Sequence, residues 1–214
     1  MGSNKLLGPD SMLYALFCDL TASMPLNQTH LFLFSIEAHA KEVQTPLFTY
    51  TSLTLLDGTA SVDSFQYKSI IDALQYLSMT RLDIAYPANR LAQFKHKPTT
   101  IHLTALKRLL RYLKATKFHG HYLHKGHLSS FYAFSDEDWA GNKDDYTSTS
   151  AQLVFYGTLR VQHVSTSDQL ADCLTKPLSR QRHHFLKHKI GVLDGTPLLQ
   201  GRVTPGHCKD TWAL

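Results

Sequence analysis

The sequence predicts an α+β protein in which a helical unit is followed by a small sheet with C-terminal helices. Two observations carry this prediction. Between residues 63 and 116, apolar side chains recur at helical spacing in three runs that are separated by short breaks. From Gly120 onward, the pattern changes to short β-prone runs bounded by glycine turns.

The regions outside these two patterns have little regular structure in the prediction. Residues 1–37 show no clear period, and we expect a poorly specified leader with one short helix near residues 11–18. Residues 42–62 are rich in Thr, Ser, Pro and Gly and predict an extended connector rather than a core element. Residues 192–214 contain Gly, Pro and Thr without a period, so we expect a loose tail.

Three helices are predicted for the helical unit. Asp63 or Ser64 can cap the first helix, and Asp83 can cap the second, in which Pro87 is tolerated only within the first turn. The third helix, at about residues 100–116, is the clearest of the chain. Its apolar stripe consists of Leu103, Leu106, Leu109, Leu110 and Leu113.

A basic face covers much of the other side of the third predicted helix. Its cations are Lys107, Arg108, Arg111, Lys114 and Lys117. Such a face can follow the phosphates of nucleic acid, and it can equally be the solvated side of an amphipathic helix. The formal net charge of +5 and the isoelectric point of about 9.1 favour anionic partners such as nucleic acid.

The second half of the chain alternates strands, turns and two helices. Four short strands are predicted at residues 122–123, 131–134, 148–156 and 159–164. A short helix is expected from Ser167 or Asp168 through Leu174, and a basic helix over residues 179–189 ends at Gly191.

Carboxylates and histidines are the candidate metal ligands. Asp136, Glu137 and Asp138 follow the apolar run 131–134, and acids at the end of a strand can hold a divalent metal or form a solvated turn. The histidines fall in two groups, His119, His121, His124 and His127, and His183, His184 and His188. His184 and His188 are one helical turn apart, but no Cys or acid is arranged with them, which favours a surface role.

Cysteine usage and hydropathy indicate an intracellular protein in the cytoplasm or nucleus that is not secreted. Cys18, Cys173 and Cys208 are widely separated and form no disulfide framework or zinc spacing. The apolar runs 12–18 and 31–36 are far shorter than the roughly 20 residues that span a bilayer, so no membrane partner is expected. The sequence leaves the oligomeric state open.

Several stretches resemble the Pol polyproteins of Ty1/copia-type retrotransposons. Residues 67–120, from YKSIIDALQYL to KFHG, resemble the region that follows the reverse transcriptase core. Residues 133–157, AFSDEDWAG to VFYG, resemble the opening strands of the ribonuclease H domain, and residues 161–192, with DQLADCLTKPL, resemble its end. The resemblance implies a reverse transcriptase connection-like helical region over residues 38–118 and a truncated ribonuclease H-like region over residues 119–191.

The same resemblance implies a nuclease site that is incomplete. By resemblance, Asp136 would be the first Mg²⁺ ligand and Asp172, in DQLAD, the last. The family has a helix with a catalytic Glu and a strand with a catalytic Asp between these motifs, and neither motif is found in this chain. The paired aspartates of the polymerase core are also missing. Asp136 and Asp172 are therefore expected to be vestigial, without productive Mg²⁺ binding.

Three functional hypotheses follow from the sequence. The first is a catalytically inactive fragment of a Pol polyprotein. The second is a non-catalytic nucleic-acid-binding module that uses the basic face of the third helix, with an RNA–DNA hybrid or DNA as the partner. The third is a residual enzyme that borrows the missing carboxylates from a partner Pol chain.

Overall fold

The computed structural model describes residues 43–49, 53–55, 58–121, 132–155 and 164–195. The predicted leader, its short helix, the strand at 122–123 and almost all of the strand at 159–164 lie outside these residues. Within them, no helix combines the length and apolar character needed to cross a membrane.

The helical unit contains the three predicted helices, α1 (Ser64–Leu77), α2 (Ala85–Ala92) and α3 (Thr100–Ala115). The start of α1 is confirmed, because the carboxylate of Asp63 accepts a hydrogen bond from the Phe65 N–H at 2.9 Å. The bounds of α3 agree with the prediction to within one residue at its end. Apolar period and capping residues therefore specify this half of the fold.

The start of α2 differs from the prediction. A single 3₁₀ turn, Leu82–Ile84, precedes the helix, and Asp83 lies inside this turn. The prediction that Asp83 caps the helix was wrong, since its carboxylate bonds to the buried side chains of Arg81 and Tyr112. Pro87 is the third residue of α2, where a missing N–H removes no intrahelical hydrogen bond.

The three helices enclose the larger of two apolar cores. Its buried side chains are Leu47, Leu53, Tyr67, Ile70, Ile71, Leu74, Leu77, Ile84, Ala88, Leu91, Phe94, Ala105, Leu106, Leu109, Tyr112 and Leu113. Each large apolar side chain of this kind stabilises the fold by about 1.5–3 kcal/mol on burial. Leu47 and Leu53 belong to the predicted connector, so that segment contributes to the core, contrary to the prediction.

Within the described part of the chain, the strands form two antiparallel ribbons. Strand β1 (His119–His121) pairs with β4 (Val192–Asp194), and β2 (Tyr132–Asp138) pairs with β3 (Thr149–Phe155). The α+β class is confirmed, and the ribonuclease H-like assignment of the sheet stays a prediction. The expected loose tail was wrong for its first three residues, because they are the strand β4.

The C-terminal helices carry the second core. Helix α4 (Asp172–Thr175) begins later than predicted, after a series of turns, and α5 (Arg180–Lys189) begins one residue after its predicted start, because Ser179 is its N-cap. The second core contains Leu153, Leu170, Cys173, Leu186, Ile190 and Val192. Helix α4 packs on the β2–β3 ribbon on one side and on α2 on the other. This packing positions the end of β2 beside α4.

Candidate functional site

Packing of α4 against β2 brings the two predicted metal ligands to one point. The ammonium of Lys176 lies 3.0 Å from Oδ2 of Asp136 and 3.1 Å from Oδ1 of Asp172. The hydroxyl of Thr175 donates to Oδ2 of Asp136 at 2.5 Å, and Arg182 donates to Oδ2 of Asp172 at 3.1 Å. A lysine side chain therefore bridges the two carboxylates, and each carboxylate has a second protein donor.

The electrostatics of this cluster favour the charged form of its central pair. Burial alone would raise the pKa of Asp136, but the hydrogen bonds from Thr175 and Lys176 and the ammonium charge lower it overall. Burial would lower the pKa of Lys176, and its hydrogen bonds to Asp136 and Asp172 raise it overall. Asp136 and Lys176 are therefore both charged at neutral pH, and the same ammonium donates a hydrogen bond to Asp172.

This donor set does not fit Mg²⁺. Magnesium takes oxygen ligands in near-octahedral order, and in protein sites these are carboxylates, waters and phosphates. Here the position between Asp136 and Asp172 is filled by an ammonium, which repels a cation. In the part of the chain that the structure describes, no three His, Cys, Asp or Glu side chains are grouped to hold a metal ion. The geometry therefore supports a salt-bridge cluster, not a metal centre.

The histidines of α5 occupy different environments. His184 and His188 are exposed on the helix surface. His183 is buried, contrary to the surface role expected for its group, and its ring contacts Tyr112 edge-on at 5.5 Å between centroids. Burial lowers the pKa of His183, so this imidazole is neutral at pH 7.

Two cations of the predicted basic face make contacts in the structure: Arg108 with the connector, and Arg111, whose Nε donates to the Lys107 carbonyl at 3.4 Å. The guanidinium of Arg108 stacks on the Phe48 ring at 3.6 Å from the centroid and donates to Oγ1 of Thr45 at 2.7 Å. Burial and the neighbouring Arg111 lower the pKa of Arg108. Lys114 and Lys117 are exposed at the end of the helix. Four of the five predicted cations therefore lie on α3, and Lys117 follows the end of the helix.

A buried polar network joins the helical unit to α5, and no sequence pattern predicts it. Asp83 accepts hydrogen bonds from Nε and Nη2 of Arg81, at 2.9 and 2.8 Å, and from the Tyr112 hydroxyl at 2.6 Å. Lys187 of α5 donates to the Tyr112 hydroxyl at 3.1 Å. Arg81 also donates to Oγ1 of Thr116 at 2.8 Å. The short sequence Arg81-Leu82-Asp83 looks like a helix break, and only the tertiary partners show its role.

The network contains two buried cations and one buried carboxylate. Burial would raise the pKa of Asp83, but the charge and hydrogen bonds of Arg81, with Tyr112 and Lys187, hold it at about 2. Burial lowers the pKa of Lys187 to about 8, and the Asp83 charge opposes this shift only in part. The ammonium of Lys187 is therefore the member of the network that is least well compensated.

Comparison with known proteins places this chain among transposon proteins. It is 52% identical to the retrovirus-related Pol polyprotein from transposon RE1 of Arabidopsis thaliana, with 72% of this chain aligned, and 33% identical to that from transposon RE2 of the same plant, with 76% aligned. A putative transposon Ty5-1 protein of Saccharomyces cerevisiae is 41% identical over 34% of the chain and 22% of its own length. No family model and no solved structure matches the chain.

These similarities show that the chain is a homologue of transposon polyproteins. More specifically, it belongs with the Ty1/copia-type retrovirus-related Pol polyproteins, which confirms the resemblance found in the sequence. The matched region covers 17% of the RE1 polyprotein and 17% of the RE2 polyprotein. The chain thus corresponds to a minor part of the length of these relatives.

The alignments also show that residues are missing from this chain relative to both plant relatives. The RE1 alignment runs over 243 residues, whereas the aligned 72% of 214 residues is about 154 residues. The RE2 alignment runs over 252 residues, whereas 76% of the chain is about 163 residues. In both cases about 89 aligned positions have no residue here.

Proposed function

We propose that this chain is the reverse transcriptase–ribonuclease H junction of a Pol polyprotein and that its nuclease site does not cleave nucleic acid. The observation that carries the proposal is the Lys176 ammonium, which bridges Asp136 and Asp172 at 3.0 and 3.1 Å. The roughly 89 positions that are missing relative to both plant polyproteins also support it, because an internal deletion of that size can remove further carboxylates.

The chemistry of phosphodiester hydrolysis explains why this geometry is inactive. Two divalent ions about 4 Å apart activate the attacking water and stabilise the leaving oxygen. Several carboxylates from separate elements must converge to hold such ions. Asp136 and Asp172 already neutralise Lys176, and Arg182 neutralises Asp172 further. The cluster therefore leaves no carboxylate oxygen pair free of a cationic partner to hold such ions.

The test is digestion of an RNA–DNA hybrid with the purified chain in Mg²⁺ and in Mn²⁺. We expect the wild-type chain to release no more product than the Asp136→Asn variant. An intact ribonuclease H added to the same hybrid serves as the positive control for the substrate. Cleavage by the wild type that is lost in Asp136→Asn would contradict the proposal.

A second candidate function is non-catalytic binding of nucleic acid by the basic face of α3. The specific observation is the pair of neighbouring guanidiniums of Arg108 and Arg111, with Arg108 held in place by the Phe48 ring and Thr45. Two like charges at close range repel each other, and an intervening phosphate would relieve this repulsion. The ordered Arg108 would also lose little side-chain entropy on binding.

For this second candidate, we expect Arg108→Glu combined with Arg111→Glu to weaken hybrid binding at low salt by at least about tenfold. If both residues contact phosphates, the slope of log K against log salt becomes shallower by about 1.5–2. Fluorescence anisotropy across a salt series measures both quantities.

The matched control for this test is Lys68→Glu combined with Lys143→Glu. Both lysines are exposed and belong to other segments of the chain than α3, so the double variant changes the net charge equally without substituting the basic face. We expect the control to retain the wild-type salt slope. The same loss in both double variants, or no hybrid binding by the wild type at low salt, would argue against a defined site on α3.

A further inference from the structure

The helical unit has a face that does not belong to its own core. Leu82, in the turn before α2, packs against the second core rather than the larger one. Its neighbour Asp83 and the hydrogen-bond partner of Asp83, Tyr112, are only 2% and 1% exposed. Leu82, Asp83 and Tyr112 together form a surface of the helical unit that another part of the chain covers, here called the docking face.

A stripe of side chains on α5 covers the docking face. The buried residues of this helix are His183, Leu186 and Lys187, and their i, i+3, i+4 spacing places them on one side of it. The His183 ring contacts Tyr112 edge-on, and its Nε2–H donates to the Asp83 carbonyl at 3.3 Å. Lys187 donates to the Tyr112 hydroxyl at 3.1 Å, and Leu186 is fully buried in the second core. The stripe therefore supplies both polar and apolar contacts to the helical unit.

Helices α4 and α5 are too short to be stable by themselves. Helix α4 has four residues and α5 has ten, whereas isolated helices shorter than about 12–15 residues are marginal in water. Both ends of α5 are defined, by the Ser179 cap and by Gly191, whose φ of +82° ends the helix. The free energy that folds these helices therefore comes from their contacts with the rest of the protein.

Backbone hydrogen bonds join the same two parts of the chain. Strand β1 closely follows α3, and it pairs with β4, which closely follows α5, in the register that places His119 opposite Asp194. The N–H of Gly195 also donates to the Phe118 carbonyl at 2.9 Å. The buried stripe therefore holds α5 along its length, and backbone pairing holds the chain just after its C-terminal end.

We propose that residues 172–194 are a docked partner of the helical unit, which fold in contact with the docking face and remain bound when the covalent connection is cut. Undocking would expose Leu82 and the Tyr112 ring to water and would leave α5 without the contacts that fold it. The division predicted between residues 118 and 119 then marks a change in sequence pattern, and not a boundary between two independent units.

In the proposed reverse transcriptase–ribonuclease H junction, this docking makes the junction a rigid joint rather than a flexible linker. That role rests on the proposed function, whereas the docking itself rests on the contacts between the two parts. Digestion of a hybrid measures cleavage, and association of the two pieces of a cut chain measures docking. Failure of one proposal therefore leaves the other standing.

The test uses the full chain with the recognition sequence of a site-specific protease placed within residues 122–131, which connect β1 to β2. After digestion under native conditions, we expect the two pieces to elute together from a size-exclusion column at the position of the uncut chain. In urea the pieces should separate, and they should form the complex again when the urea is removed. Separate elution of the pieces without urea would overturn the proposal.

Two neighbouring histidines give a matched pair of substitutions in the cut chain. His183 is 6% exposed and contacts the docking face, whereas His184 is exposed on the same helix. We expect His183→Ala to weaken association of the two pieces at least about tenfold, because it removes the ring contact and the hydrogen bond. His184→Ala should change association less than about twofold. Equal effects of the two substitutions would contradict docking through the stripe.

Hydrogen exchange of the uncut chain measures docking without a protease. Leu82→Ala alters only the helical unit, yet it should speed exchange of the α5 amides at least about tenfold, because α5 leaves the docking face more readily. The matched control is Leu103→Ala, since Leu103 is also partly buried but packs against the larger core. It should leave α5 exchange nearly unchanged, because α5 undocks while the helical unit stays folded. Unchanged α5 exchange in Leu82→Ala, or equal acceleration by both variants, would overturn the proposal.

Discussion

Replacing Asp83 by Asn is expected to lower the free energy of unfolding by about 3–5 kcal/mol. The Arg81–Asp83 ion pair is buried, with the guanidinium 4% and the carboxylate 0% exposed. Asn keeps the size of the side chain but leaves the Arg81 charge, and that of the nearby Lys187, without a counter-ion in the interior. Since domains are stable by roughly 5–15 kcal/mol, this single change would remove a large share of the total.

The matched control for Asp83→Asn is Asp72→Asn. Asp72 pairs with Lys95 at 2.8 Å, the same distance as in the buried pair, but its side chain is 49% exposed. Exposed pairs contribute about 0–1 kcal/mol, so we expect a loss within that range. Urea unfolding followed by circular dichroism measures both variants. Equal losses would show that burial does not determine the strength of the Asp83 contacts.

The predicted and observed contacts of Asp83 show which features of this fold can be predicted from the sequence and which cannot. Asp63 caps its helix as predicted because a cap bonds to an N–H group two or three residues away. Asp83 has the same local pattern, an acid before an apolar helical period. It fails as a cap because Tyr112, 29 residues away, and Arg81 compete for its carboxylate. Local signals predict local bonds only.

The strand pairs also show that local sequence signals do not predict contacts between residues that are far apart in the sequence. The runs that form β2 and β3 are β-prone and long enough to be recognised, and their pairing is a hairpin. Strand β1 has the sequence HGH, which has no β period, and its partner Val192–Asp194 follows more than 70 positions later. Nothing in either three-residue segment indicates the other, so the sequence predicts a tail at residues 192–194.

In the candidate site, the pairing of Asp136 with Asp172 came from family resemblance and not from spacing. The structure brings the two residues to a common partner, but the partner is Lys176. The position of Lys176 depends on the packing of α4 against β2, which no sequence pattern specifies. The chemical character of the cluster therefore becomes visible only when side-chain positions are known.

The second large change in the free energy of unfolding is expected for a substitution of Lys187, and this substitution should stabilise the protein. Lys187 is only 8% exposed, and its ammonium donates a hydrogen bond to the Tyr112 hydroxyl. The neighbouring carboxylate, Asp83, already pairs with Arg81. Methionine matches the length of the lysine stem and can pack on the Tyr112 ring, which lies 5.3 Å from the ammonium. We expect Lys187→Met to raise the free energy of unfolding at pH 7 by about 1–2 kcal/mol.

The pH dependence of stability gives an independent signature of the same residue. Below pH 8, Lys187 is charged in both the folded and the unfolded chain, and burial of the charge destabilises the fold. Between about pH 8 and the ordinary lysine value of 10.5, the folded chain releases this proton while the unfolded chain keeps it, so stability rises with pH. One pKa unit corresponds to about 1.4 kcal/mol, and residual solvent screening reduces the total gain to about 1–2 kcal/mol.

Neighbouring groups do not produce this rise. The titratable groups around the ammonium are Arg81, Asp83, Tyr112, His119, His183 and Asp194. Burial raises the pKa of Tyr112 above its ordinary value of 10.0, so this group lowers the stability near pH 10 rather than raising it. Burial lowers the pKa of both histidines below the window. Cys173 acts in the opposite direction, because burial raises its thiol pKa to about 12 and the unfolded chain loses that proton first. Its contribution is common to wild type and variant and cancels in their difference.

Urea unfolding of wild type and Lys187→Met at pH 7, 8.5 and 10 therefore isolates the lysine. The advantage of the variant should be largest at pH 7 and shrink toward pH 10, as the wild-type lysine becomes neutral in the folded chain. Lys189→Met is the matched control on the same helix, because Lys189 is partly exposed and pairs with Asp168 at 2.6 Å. Its effect should stay within about 0.5 kcal/mol. If Lys187→Met destabilises the protein at pH 7, the ammonium is a stabilising partner of Asp83 rather than an uncompensated buried charge.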